Sequence, residues 1–157
     1  MYLCKYFGLC QNNIDIDTDN TNIDLIYVLR FSSYKNEDIM SKQFAYSAII
    51  YKSDIAIRSD CKIKENTYLI SNYNDLFGLE LGLELAIKSK IKKLIVKSPS
   101  LLIINILNDD LIIKSKKLLK VTNRIKKLEK RFDMITYELV SRTENFLLYE
   151  RVKNKLS

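Results

Sequence analysis

The spacing of apolar residues changes period along the chain, and each change marks an element. Leu25–Phe31 (LIYVLRF) and Phe44–Tyr51 (FAYSAIIY) are aromatic and β-branched runs of strand length, so both are expected to be buried strands. Asp54–Ile63 (DIAIRSDCKI) alternates apolar with polar, which predicts a third and more exposed strand. The short link Lys52–Ser53 makes strands two and three a hairpin. From residue 74 the period lengthens. In the segment NDLFGLELGLELAIKS, Leu76, Leu79, Leu83 and Ala86 share one stripe of a helix, with Asn74 or Ser71 as its cap. Gly78 and Gly82 stand four apart on that helix. Each costs about 1 kcal/mol relative to Ala inside a helix, so close packing against a sheet is expected at both.

Lys93–Lys97 (KLIVK) reads as a short buried strand, and the β-α-β arrangement implies a parallel neighbour. Pro99 suits the first turn of a helix reaching about Leu107, with Ser98 as its cap. After a link over residues 108–114, Ser115–Arg131 is an amphipathic helix, Met134–Val140 a strand and Glu144–Lys153 a final helix. The predicted order is β-β-β-α-β-α-α-β-α. Residues 1–24 stand apart as an N-terminal arm and polar loop, and 25–157 as the domain. Asp15, Asp17 and Asp19 alternate as in a calcium loop, but the Gly and terminal Glu of such a loop are missing, so 11–24 is read as a connection.

Length and composition fit one ordinary core: 157 residues, 47% hydrophobic and 29% charged. The charge is lopsided. Residues 1–86 hold 8 Lys/Arg against 12 Asp/Glu, a balance of −4, and residues 87–157 hold 18 against 7, a balance of +11. A basic half implies either an anionic partner or a solvated lysine-rich surface. Cys4, Cys10 and Cys61 make an odd set without a paired spacing, which points to an intracellular, reducing compartment. There is no His, so Ser-His-Asp and Cys-His catalysis are excluded and an ordinary zinc site is not expected. Neither glycine-built phosphate cradle occurs, and no cofactor is expected. No run approaches the roughly 20 apolar residues of a membrane span, so no membrane association is expected.

Three segments carry a family resemblance. Residues 74–86 (NDLFGLELGLELA) resemble the first helix of the reverse-transcriptase-like ribonuclease H family, whose pattern is AExxALxxGLxxA. Residues 91–107 (IKKLIVKSPSLLIINIL) are similar to its strand, SDS-type turn and helix. Residues 132–145 (FDMITYELVSRTEN) are similar to its fifth strand and R-x-x-N turn. The similarity spans about 25–154 in the right order. It implies an α/β, ribonuclease H-like fold: a mixed five-stranded sheet with helices on both faces.

The resemblance also implies a site of four carboxylates holding two Mg²⁺ ions. Those positions fall on Ser32, Asp75, Pro99 and Tyr149, so one acid of four is present. A one-residue slip at the first or third position meets Ser33, Ser98 or Ser100, and at the fourth adds only Glu150. The expectation is therefore a protein that is not an enzyme and holds no metal. Nucleic acid, either RNA or an RNA/DNA hybrid, is the expected partner, bound through Lys114, Lys116, Lys117, Lys120, Arg124, Lys127, Lys130 and Arg131, with Tyr34 and Lys35 beside the first lost acid. The alternatives are a protein-interaction subunit of a larger assembly, a homodimer, or a weak residual ribonuclease H.

Overall fold

The strands and helices follow from which residues must leave water and from how each connection ends. The computed structural model of the chain describes residues 26–35, 43–65 and 73–156. The element order is β1 (Tyr27–Lys35), β2 (Gln43–Lys52), β3 (Ile55–Glu65), α1 (Asp75–Lys88), β4 (Lys93–Ser98), α2 (Leu101–Leu107), α3 (Lys116–Glu129), β5 (Met134–Leu139) and α4 (Arg142–Leu156). This is the order the residue pattern predicts. The expected arm, residues 1–24, lies outside the described residues, as do Cys4, Cys10 and Ser71.

The sheet runs β3-β2-β1-β4-β5. β1, β2 and β3 pair antiparallel, while β4 lies parallel to β1 and to β5. The sheet is thus mixed. The β2–β3 turn is Ser53–Asp54, and both residues have positive φ, 48° and 65°. That is the two-residue geometry whose twist matches a hairpin, adopted here without glycine. At the opposite end, β1 and β4 finish with Lys35 and Ser98.

Helices cover both faces. On one face α1 packs on β1 and β2, and α3 packs on α1; Leu29, Phe31, Ile50, Leu76, Leu79, Leu83 and Ile125 form the heart of that core. On the other face Leu148 and Val152 of α4 cover Ala45 and Ile49 of β2. Because β2 is covered on both sides, its apolar residues run nearly continuously instead of alternating.

Several boundaries differ from expectation, among them the end of β1, which runs four residues past Phe31 to Lys35 and so puts Ser32–Lys35 on a strand. Asn74 precedes α1 with helical dihedrals and makes no side-chain cap bond. Ser100, not Ser98, caps α2 by accepting from the Ile103 N–H, so Pro99 stands before the cap and outside the helix. α4 starts at Arg142, two residues early, because Ser141 and Glu144 form a reciprocal cap: the Glu144 N–H donates to Ser141 Oγ at 3.3 Å, and the Ser141 N–H donates to Glu144 Oε1 at 3.4 Å. The spacing S-x-x-E was the available signal. α4 also runs on to Leu156.

The two glycines of α1 sit where the helix meets the sheet. A Cβ on Gly78 would lie 3.0 Å from the Ser47 carbonyl and 3.2 Å from the Ser32 carbonyl. A Cβ on Gly82 would lie 2.4 Å from Leu29 Cδ1 and 3.1 Å from Ala48 Cβ. Gly82→Ala should therefore lose stability by about 1–3 kcal/mol through overpacking, although the same change in an exposed helix gains about 1 kcal/mol. Urea denaturation of the two proteins checks the sign; a stabilised variant would show that α1 has room to move off the sheet.

Candidate functional site

The four positions singled out by the resemblance gather at one end of the sheet. β1 pairs with β4 as far as Arg30 with Lys97, which places Ser98 and Pro99 alongside the next residues, Phe31 and Ser32. Asp75 is the first residue of α1 and reaches β1, where Ser33 Oγ donates to its Oδ1 at 2.6 Å. It is Ser33 that meets Asp75; Ser32 is buried and, by strand alternation, belongs to the opposite face. Ser98 is fully buried, its hydroxyl accepting from the Ser100 N–H and its carbonyl from the Val140 N–H. Tyr149 of α4 stands edge-on to Tyr34, with ring centroids 5.7 Å apart. Tyr34 is thus half-buried on a strand against α4, and Lys35 is the half-exposed last residue of β1.

Asn145 anchors α4 beside this group, its side-chain amide donating to the Phe31 carbonyl at 2.9 Å. On the same face Arg30 pairs with Glu144, donating to its carboxylate at 3.3 Å and to its backbone carbonyl. These two attachments fix where Tyr149 stands over β1.

The donors at Asp75 do not fit a pair of Mg²⁺ ions. Such ions take hard oxygen ligands in near-octahedral arrays, and the described neighbourhood offers one carboxylate among hydroxyls. Among the described residues no three of Cys, Asp and Glu come together as a metal site. Glu37 and Asp38, which follow β1 closely in sequence, are outside the described residues.

The basic residues divide into two kinds. α3 buries Leu118, Thr122 and Ile125 against α1. Lys116, Lys120 and Lys127 lie on the opposite, exposed side, and Lys114, Lys117, Lys130 and Arg131 are exposed too. Arg124 is different. Its Nε donates to Glu80 Oε1 at 2.5 Å and its NH2 to Glu80 Oε2 at 2.9 Å, a two-pronged bridge from α3 to α1. Its charge is answered within the fold. Lys126, absent from the sequence-based set, points the other way, bonding the Leu107 carbonyl, Asp109 at 3.1 Å and Glu129 at 3.6 Å. Glu129 also accepts from the Tyr137 hydroxyl, and burial with that neighbouring carboxylate pushes the phenol pKa far up. Residue spacing alone gave no sign of either bridge.

Cys61 is a free thiol, pushed up in pKa by burial. Among the described residues no helix is long and apolar enough to cross a membrane.

Asp75 carries the site's titration. Burial raises its pKa to about 6, against the lowering effect of bonds from the Ser33 hydroxyl and backbone N–H. The unfolded carboxyl titrates near ~4, so the folded chain holds the proton more tightly. The resulting stability is fully present below the unfolded value and is lost as pH rises through about 6. Asp75→Asn should thus be more stable than the parent at pH 7.5, by on the order of 1–3 kcal/mol, and equal to it at pH 4. Chemical denaturation at both pH values checks this; a less stable variant at pH 7.5 would show that the charged form is the favoured one.

The comparisons agree on the fold. The reverse transcriptase-like family matches residues 45–152. The N-terminal ribonuclease H domain of a Mycobacterium tuberculosis protein, solved as a fusion with maltose-binding protein, superposes with a TM-score of 0.71 at 21% identity, covering 82% of this chain and 90% of that one. RNase H1 from the halophilic archaeon Halobacterium salinarum gives 0.72 at 15% identity, covering 81% and 93%. LC11-RNase H1, solved in complex with an RNA/DNA hybrid, gives 0.69 at 15% identity, covering 83% and 99%. No match was found among curated protein sequences. The expectation that the chain is not an enzyme is overturned here: it rested on three missing carboxylates, whereas the chain matches the reverse transcriptase-like family and is similar to solved ribonuclease H proteins. The match over residues 45–152, together with the five-stranded mixed sheet and its helices, makes this chain a member of the reverse transcriptase-like family with the ribonuclease H-like fold.

Proposed function

We propose that the domain binds an RNA/DNA hybrid, with the outer face of α3 gripping its phosphates. The observation that carries this is the row of Lys116, Lys120 and Lys127 on the side of α3 turned away from the core. Eleven residues of helix separate the first from the last, about 16 Å at 1.5 Å per residue. Successive phosphates of one strand advance about 3.4 Å along the duplex axis, so the row meets several of them. Lys114, Lys117, Lys130 and Arg131 extend it at the two ends of the helix. Arg124 is left out of the grip because Glu80 holds it. Tyr34 and Lys35 contribute at the Asp75 end, where Lys35 is the cation beside β1 and Tyr34 is tied to Tyr149. A ribonuclease H1 of the same fold, solved with an RNA/DNA hybrid, supports this ligand over others.

The test is hybrid binding by fluorescence anisotropy across a salt series. Lys116→Glu, Lys120→Glu and Lys127→Glu combined should weaken binding at least tenfold near physiological salt. The slope of log affinity against log salt should flatten by about 0.9 for each phosphate no longer neutralised. Unchanged affinity in a folded triple variant would remove α3 from the interface. Incubating the parent chain and Asp75→Asn with labelled hybrid and Mg²⁺ or Mn²⁺ reads strand cleavage in the same samples, and cleavage that disappears in the variant would assign that activity to the Asp75 end.

A further inference from the structure

A second concentration of positive charge lies at the end of the sheet away from Asp75. Two connections meet there, the α1–β4 turn and the α3–β5 turn. Residues 87–93 and 126–133 together hold eight Lys/Arg and two Asp/Glu, a surplus of six in a chain whose net charge is +7. The two segments are tied by their backbones, because the Asp133 and Met134 N–H groups both donate to the Lys92 carbonyl, at 2.9 and 3.2 Å. Lys92 Nζ in turn reaches the Arg131 carbonyl at 3.5 Å. Lys126 and Glu129 are engaged with each other and with inward-facing partners, so they take no part in the outer charge. Lys93 is half-buried on β4, so what remains exposed is Lys88, Lys90, Lys92, Lys127, Lys130 and Arg131, with Asp133 as the one exposed acid of these two segments.

Helix ends explain only some of these. α1 and α3 both finish here, and a cation in the last turn answers the partial negative charge of the final carbonyls. That reason covers Lys88 and Lys127. Lys90, Lys92, Lys130 and Arg131 lie past the last turn, and Lys90 sits at a left-handed turn residue (φ 58°) where Gly or Asn is the usual choice. A concentration of like charge beyond what the fold uses is the mark of a polyanion surface.

Resting on the hybrid-binding reading above, we propose that Lys88, Lys90 and Lys92, with Lys130 and Arg131, form a second phosphate-tracking surface at this end. A nucleic acid lying along α3 continues over it instead of stopping at the helix terminus. Continuity favours nucleic acid over other polyanions: Lys127, Lys130 and Arg131 close the α3 row and open this patch. The consequence is a footprint longer than α3 alone, reaching the duplex away from the Asp75 end.

The test compares hybrids of two lengths, one matching the α3 row and one roughly twice as long, over a salt series. Lys88→Gln, Lys90→Gln and Lys92→Gln combined remove three charges while leaving an unbranched polar side chain at each position. On the long hybrid the triple variant should bind several-fold more weakly, with the salt slope flattened by about 2–3. On the short hybrid it should match the parent. Equal affinity and slope on the long hybrid, in a variant whose thermal melt is unchanged, would overturn this surface while leaving the α3 reading intact. A parent chain that binds neither hybrid would overturn both. Loss of binding to vesicles containing anionic lipid, with the hybrid slopes unmoved, would assign the patch to a membrane surface and also overturn it.

Discussion

Helix α1 approaches the first two strands so closely that, at two of its positions, only a hydrogen atom fits on the inner side of the backbone. At Gly78 the neighbours are main-chain carbonyls, which cannot turn aside, and at Gly82 they are the methyl groups of a buried leucine. The separation of helix and sheet is therefore set by backbone and core together. It has a direct result at the front of the helix. With α1 this near to β1, the carboxylate of its first residue comes within hydrogen-bond reach of Ser33, and the same proximity takes that carboxylate out of water. Packing in the middle of the helix thus decides chemistry at its end.

Electrostatics on this chain follow a similar division between what the fold consumes and what it leaves outside. The Arg124–Glu80 bridge and the Lys126 bonds staple α3 to α1 and to the end of α2. The Arg124–Glu80 bridge lies partly out of solvent, with a two-pronged geometry that fixes two long side chains, which is the setting in which an ion pair contributes most; Asp109 is largely exposed. The remaining lysines of α3 look outward. A helix with six cations among fourteen residues can serve both purposes because its faces are kept separate by the 3.6-residue repeat.

The order of elements was legible because strand and helix periods differ so plainly: FAYSAIIY and the leucine stripe of α1 allow little else. The mixed sheet and two-sided cover came with the family resemblance. Helix starts were harder. Two serines and a proline surround the beginning of α2, and which hydroxyl turns toward the helix depends on how β4 ends. At the Asp75 end, sequence identified the carboxylate but not its partner, because neighbouring residues on a strand face opposite ways and a single step separates Ser32 from Ser33. The counting of carboxylates pointed away from enzymatic activity, and the family membership reversed that reading. On α3 a one-dimensional row of cations could not reveal that one of them belongs to a glutamate forty-four positions earlier.

The bond from Asn145 to the Phe31 carbonyl spans 114 residues of chain. It belongs to the helix that leaves the ribosome last among the described elements, yet it fastens that helix to the first strand. Among the described residues, Leu148 and Val152 of α4 supply the buried apolar side chains that cover Ala45 and Ile49 on that side. The native fold thus joins the two ends of the described chain, and α4 closes the structure like a clasp across the first strand and the second.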